Sequence, residues 1–231
     1  MKEITLDAPG KNALSSALMG RTLSEFKAAG DSPVLLTGAN GCFSAGLNLH
    51  EVASLDAEQM KAFLELLTNL CRAIWNHPGP VVASIEGHAI AGGCVLVQMC
   101  DFRIAQTSDK SRFGLNEVAL GLRVPPTALA MMRDKIPRQH HEEVFLGSGL
   151  HSAKEALRLG LIDAISDDAA GDSRAKLDSL ARHPRQAYRA MKHDLRAHIY
   201  ASEEAEVAFL RHAIPAWTAP EFKQKIQSLL G

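Results

Sequence analysis

The sequence predicts an α/β fold with a helical C-terminal region, and three observations carry that expectation. An apolar β-type run from Val34 to Thr37 passes into a loop rich in small residues, with Gly38, Gly41, Ala45 and Gly46. A second such run, Val81 to Ile85, ends at Gly87, and its turn Ala91-Gly-Gly93 leads straight into an apolar segment of helical character from Cys94 to Cys100. From Arg174 onward, apolar residues recur at helical spacing with polar faces between them. The 231 residues are enough to bury a large core, either as one domain with a small appendage or as two.

The elements follow in order. Ile4 to Leu6 reads as a short strand ended by Pro9-Gly10, and Lys11 to Leu14 opens a helix that runs to about Ala29, with Gly30 as its stop. Asp56-Ala-Glu-Gln59 has the pattern of a capping box, and Met60, Phe63, Leu64, Leu67, Leu70, Cys71 and Ile74 continue it at helical spacing until the chain nears Pro78. Short helices are expected over Thr127–Arg133 and Gln139–Leu146. Ser152-Ala-Lys-Glu155 repeats the capping-box pattern, Gly160 ends that helix, and Leu161 to Ile165 reads as a last strand. Helices over Arg174–Leu180, Gln186–His198, Glu203–Ile214 and Pro220–Leu230 complete the chain, with Phe209, Trp217 and Phe222 as apolar anchors.

Composition excludes several classes of function. The net charge of −1 offers no electrostatic case for nucleic acid or an anionic membrane surface. Met1 to Asp7 lacks the basic and apolar regions of a signal peptide, and no apolar run approaches the roughly 18 residues of a membrane span, so a soluble, cytoplasmic protein is expected. Cys42, Cys71, Cys94 and Cys100 show neither C-x-x-C pairs nor metal-ligand spacing, which predicts reduced, packed thiols and no metal.

Chemistry is expected at the two glycine-bearing turns. Unpaired N–H groups in the first turn of a helix, with the positive end of its dipole behind them, suit an anion or a developing oxyanion. Taken alone, the Ala91-Gly-Gly93 turn is better explained by close packing; with the second loop beside it, two donor-bearing turns could face one carbonyl oxygen. His50 and His77 have no partner that the sequence names, so solvated or capping roles come first, and for His88 a backbone hydrogen bond precedes any catalytic reading.

Phe43-Ser-Ala-Gly-Leu-Asn-Leu49 and Gly87-His-Ala-Ile-Ala-Gly-Gly-Cys94, followed by Asp101-Phe-Arg-Ile-Ala105, Phe113-Gly-Leu-Asn-Glu117 and the segment Gly147 to Ile165, resemble the motifs of the crotonase (enoyl-CoA hydratase/isomerase) superfamily in order and spacing. The resemblance covers nearly the whole chain. It implies a crotonase spiral of repeated β-β-α units over residues 1–170, with a helical region over 171–231 that acts as lid and oligomerisation element in a homotrimer or hexamer. It further implies an acyl-CoA thioester substrate, with coenzyme A entering only as part of that substrate and no other cofactor. The N–H groups of Leu47 and Gly92 fall at the oxyanion-hole positions, Ala45 and Gly46 at substrate-binding positions, and Lys11 where many relatives carry a basic residue near the nucleotide, although a solvated lysine at a helix start explains Lys11 equally well.

By the same resemblance, hydratases place one carboxylate three residues after the second oxyanion glycine and another in the Phe-Gly-x-x-Glu motif. Here Val95 occupies the first position and Glu117 the second. Asn48 stands where an aspartate is common. Retaining one carboxylate is similar to the mitochondrial-type Δ3,Δ2-enoyl-CoA isomerases, so the expected activity is a shift of a double bond from 3-enoyl-CoA to 2-enoyl-CoA with Glu117 as the single acid and base. Without the motif, Glu117 would read as a structural ion-pair partner. Hydration, decarboxylation with His88, substrates on an acyl-carrier protein, and a non-catalytic acyl-CoA-binding subunit remain alternatives.

Overall fold

The structure is a computed structural model that describes residues 1–230, with side chains through Ser228. Its centre is a five-stranded parallel sheet in the order β1 (Lys2–Leu6), β2 (Val34–Gly38), β3 (Val81–Ile85), β5 (Phe102–Gln106) and β7 (Ala164–Ser166). Two residues of β4 (Ala89–Ile90) pair with two of β6 (Phe113–Gly114) in a second, minimal parallel sheet. The period-2 alternation of strands sorts the core: Val34, Leu36, Val81 and Ala83 face the main core, while Leu35 and Val82 face the other side. That side is covered by α9 (Ala169–Ala181) through Leu177 and Leu180. With both faces covered, β3 is buried along its whole length, as a strand in a parallel sheet must be.

The first helix starts later than its sequence pattern predicts. Pro9–Asn12 makes a single turn, α1, in which Gly10, Lys11 and Asn12 take positive φ of 70°, 58° and 57°. Ser15 then caps α2 (Ser16–Ala29), and Gly30 ends it at φ 61°. Three consecutive left-handed residues cannot continue a right-handed helix, so Lys11 to Leu14 is a bend. The last strand is also displaced, to Ala164–Ser166, because Leu161 and Ile162 donate back to Ala156 and close the preceding helix.

Helix α3 (Leu49–Ser54) precedes α4 (Ala57–Trp75), whose predicted capping box forms in full: Gln59 N donates to Asp56 Oδ1 at 2.9 Å and Asp56 N to Gln59 Oε1 at 3.0 Å. The α4 stripe Met60, Phe63, Leu64, Leu67, Leu70 is buried. It packs on α2, on α5 (Gly92–Met99) and on α7 (Pro126–Lys135). A one-turn α6 (Glu117–Leu120) lies between β6 and α7. A 3₁₀ turn at Arg138–His140 and a π turn at Glu142–Leu146 stand where one short helix is expected. Ser152 caps α8 (Ala153–Leu159), and Gly160 ends it in the left-handed region. Helices α10 (Arg185–Arg196), α11 (Glu203–Thr218) and α12 (Pro220–Leu230) complete the described residues; α11 packs on α4 and α7, and α12 on α3.

His77 is buried with Nε2 2.7 Å from Ser32 O and its ring edge against Phe26, and His50 is exposed. The four cysteines are free and buried. No helix among the described residues is long and apolar enough to cross a membrane.

Candidate active site

The first loop is held from below by one side chain. Asn12 is 1 % exposed, and its Nδ2 donates to Ala39 O at 2.9 Å and Cys42 O at 2.6 Å, while its Oδ1 accepts from Ala8 N at 3.2 Å. Its left-handed backbone is one that asparagine tolerates better than most residues. Ser44 Oγ donates to Asn12 O at 2.8 Å and accepts from Gly46 N at 3.2 Å. Asn12→Ala removes the bonds of the Asn12 side-chain amide and leaves buried backbone groups unpaired, at an expected cost of about 2–4 kcal/mol. In a thermal scan that should lower Tm by roughly 5–15 °C; an unchanged Tm would mean that the loop holds its shape without Asn12.

Leu47 sits in a one-residue parallel bridge with Leu14. Leu14 N donates to Gly46 O at 2.7 Å and Asn48 N to Leu14 O at 3.0 Å, so the residues on either side of Leu47 make the bonds. In a parallel ladder this turns the N–H of Leu47 itself to the opposite side, and it donates to no group among the described residues. Asn48 caps α3, accepting from Glu51 N at 3.1 Å, which is a structural role for the residue standing in place of aspartate.

A second bridge joins this loop to the next one. Ser44 N donates to His88 O at 2.9 Å and Ile90 N to Ser44 O at 3.1 Å. Ala91, at φ 48° and ψ −122°, turns the chain into α5, and the first helical bond runs from Val95 N to Ala91 O. The N–H of Gly92 therefore has no partner within the helix. The glycines are needed for the approach of the two loops: a Cβ on Gly93 would meet Ser44 O at 2.6 Å, and one on Gly46 would stand 3.0 Å from Ile90 O and 3.5 Å from Gly92 N.

Glu117 reaches the same place through the pairing of β4 with β6, which aligns Ala89 with Phe113 and Ile90 with Gly114. It lines a mostly apolar cavity of about 90 Å³ together with Leu47, Gly92, Val95, Asn116 and Trp217, and Ala45 is also on the wall. Although part of the residue is accessible, Oε2 is buried and unpaired, as is Oδ1 of Asn116. Burial pushes the Glu117 carboxyl up to about 7, with its own backbone amide opposing the rise. Val95 is 2 % exposed, so no carboxylate faces Glu117 from that position.

The other residues read from the sequence separate here. Lys11 meets the loop through its backbone, its carbonyl accepting from Ala45 N at 3.0 Å, while its side chain is exposed. His88 Nδ1 accepts from Arg112 N at 3.1 Å; burial, then Lys11 and Arg112, lower its pKa, and it is not on the cavity wall. A larger cleft of about 570 Å³ lies between α4 and α11, where Arg72 pairs with Glu206 at 4.0 Å and Glu65 with Lys61 at 3.3 Å, and Glu203 is the other charged residue of the lining. Sequence reading missed Asn12, whose signal was an asparagine two residues after the Pro9-Gly10 turn, and Asn116, which lay unremarked inside the glutamate motif.

A parallel sheet whose small-residue loops converge with a buried glutamate on an apolar cavity is the crotonase fold. Across 98–99 % of the chain the structure superposes on solved members, among them human mitochondrial delta3-delta2-enoyl-CoA isomerase, with a TM-score of 0.87 at 20 % identity over 99 % of this chain and 92 % of that one. Residues 1–224 match the family model described as Enoyl-CoA hydratase/isomerase, and the chain belongs to that family as a crotonase-type acyl-CoA enzyme. It is 30 % identical over 250 residues to the human mitochondrial enoyl-CoA hydratase domain-containing protein 3, covering 94 % of this chain and 80 % of the relative. It is 28 % identical over 226 residues to the 2,3-dehydroadipyl-CoA hydratase of Escherichia coli K12, covering 94 % and 87 %.

Proposed function

We propose that the enzyme moves a double bond from the 3- to the 2-position of an enoyl-CoA, with Glu117 as its only acid and base. The carboxylate removes a proton from C2 of the 3-enoyl thioester. The electron pair spreads over the dienolate, and its negative oxygen is held by the N–H groups of Leu47 and Gly92. The protonated Glu117 then returns the proton at C4, which leaves the conjugated 2-enoyl thioester and the original carboxylate. A base with a pKa near 7 suits both half-steps at neutral pH. No cofactor is required beyond the coenzyme A that the substrate carries.

The observation that carries this reading is the solitude of Glu117: one unpaired, buried carboxylate in a cavity where Val95 fills the place of a second. Hydration is the second reading, favoured by the orphan Oδ1 of Asn116 on the same wall, which could help Glu117 orient a water. Decarboxylation through His88 loses support, since its Nδ1 is engaged by Arg112 N. The test follows the ultraviolet absorbance of the conjugated enoyl thioester. With a 3-enoyl-CoA the absorbance should rise, and with a 2-enoyl-CoA it should hardly change. Rapid loss from the 2-enoyl-CoA would replace isomerisation by hydration.

A further inference from the structure

The cavity wall carries a second charged residue besides Glu117, and nothing in the proton transfer uses it. Arg123 lies in the loop between α6 and α7, which Pro125 and Pro126 stiffen, and it lines the cavity with Leu67, Leu122, Val124 and Trp217. Its guanidinium stands 5.9 Å from the ring centre of Phe209 on α11 and makes no ion pair among the described residues. Glu117 Oε2 is itself unpaired, so Arg123 does not neutralise the base. Arg123 is exposed to solvent, and the aromatic contact leaves its N–H groups unoccupied, a fork of donors suited to a carboxylate at the cavity mouth.

We propose that Arg123 is a specificity-determining residue that receives a terminal carboxylate on the acyl group, so that the preferred substrates are thioesters of dicarboxylic acids. This rests on the acyl-CoA reading of the cavity and deepens it. Apart from Glu117 and Asn116 the rest of the lining is apolar, and there a hydrocarbon chain gains nothing from a guanidinium, whereas an acyl group ending in a carboxylate gains charge-assisted bonds. The thioester end is assigned to the Ala45–Leu47 loop, where Lys11 also stands, and Arg123 belongs to the α11 side through Phe209. An acyl chain running between them would carry its free end toward Arg123.

The test compares the full-length enzyme with Arg123→Leu and Arg123→Lys, using calorimetry with two unreactive thioesters of equal length, hexanoyl-CoA and adipoyl-CoA, and then suberoyl-CoA for reach. The quantity read is the affinity ratio of the dicarboxylic to the monocarboxylic ligand within each variant, so hexanoyl-CoA also reports whether the variant is folded. The wild type should favour a dicarboxylic ligand by about 10- to 100-fold, Arg123→Leu should bring the ratio near one, and Arg123→Lys should keep part of it. A wild-type ratio near one overturns the proposal. So does an equal loss for both ligands in Arg123→Leu, which would assign Arg123 to the phosphates of coenzyme A. Because these ligands do not react, a preference found in binding stands even if 3-enoyl substrates show no isomerisation, and the two readings fail separately.

Discussion

Glu117→Gln is expected to lower turnover of a 3-enoyl-CoA by roughly 10³- to 10⁴-fold, the upper range for a positioned acid–base group, while leaving acyl-CoA binding in place. The amide keeps the shape of the side chain and cannot carry a proton away from C2 or deliver it to C4. In the wild type the base must be ionised, so kcat/KM should climb with pH and level off above about 7, where the buried carboxyl has lost its proton. Residual activity in the variant should lack that inflection. Retention of most of the rate would remove Glu117 from the mechanism.

The same substitution should stabilise the fold, and only at neutral to alkaline pH. The folded-state pKa of about 7 lies above the ordinary value of 4.5, so between those values the folded chain holds a proton that the unfolded chain has released. Stability therefore falls as pH rises through this window, and above it the ionised, desolvated carboxylate costs roughly 3 kcal/mol at most. Thermal scans should find Glu117→Gln melting several degrees higher than wild type at pH 8 and close to it at pH 4. Equal melting at both pH values would mean that the carboxylate is solvated. Burying this carboxylate weakens the fold at neutral pH, the cost that the proposed base role would require.

The largest loss of stability is expected far from the cavity, in Asp101→Asn. Asp101 stands just before β5. Its Oδ2 accepts from Val81 N at 2.7 Å, Lys192 Nζ at 2.9 Å and Tyr188 OH at 3.0 Å, and its Oδ1 lies 2.8 Å from Arg196 NH2. Three residues of α10 thus close on one carboxylate at the start of the sheet. Burial alone would raise the pKa of Asp101, but Lys192 and Arg196 outweigh it and hold the carboxyl below its usual range. Asparagine keeps the volume and removes the charge, leaving two buried cations packed together with no anion between them. Breaking a buried pair in this way costs about 3–5 kcal/mol, or roughly 6–20 °C in Tm for a chain of this size. The carboxylate's contribution is present above the unfolded pKa and is lost only as pH falls through the depressed folded value, so the wild type should keep it through mildly acidic pH. As a control, Arg158→Ala breaks exposed pairs with Glu143 and Glu155 and should scarcely move Tm. A comparably small change in Asp101→Asn would show that water reaches Asp101 and its α10 partners.

Much of this architecture is legible in the sequence where the physics is local. The capping box at Asp56 and Gln59, the α4 stripe and the glycine stops at Gly30 and Gly160 need only neighbouring residues, and each forms where its pattern lies. The bend at Lys11 and Asn12 does not, because nothing beside it demands left-handed backbone. Asn12 adopts that shape to reach carbonyls about thirty residues away. Glu117 could be located by motif, but its solitude depends on which side chains surround it after folding, and so does the freedom of Arg123. The aromatic residues Phe209 and Trp217 are readable as anchors; that Trp217 lines the cavity and Phe209 lies 5.9 Å from the Arg123 guanidinium requires the three-dimensional arrangement.

The bridge between Leu14 and Leu47 has a consequence for which changes this enzyme can survive. The aim of the Leu47 amide is set by a fixed count of residues: Ser44 is pinned to Ala89 and Leu47 to Leu14, and the two residues between them turn through Gly46 at φ 99°. Exchanging the Leu47 side chain alters the cavity and leaves that aim intact. Adding or deleting a single residue between the two bridges would rotate the amide away from the cavity, even though every motif residue were still present. At this turn the chain counts residues more strictly than it chooses them, and acyl preference is free to drift while the spacing is not.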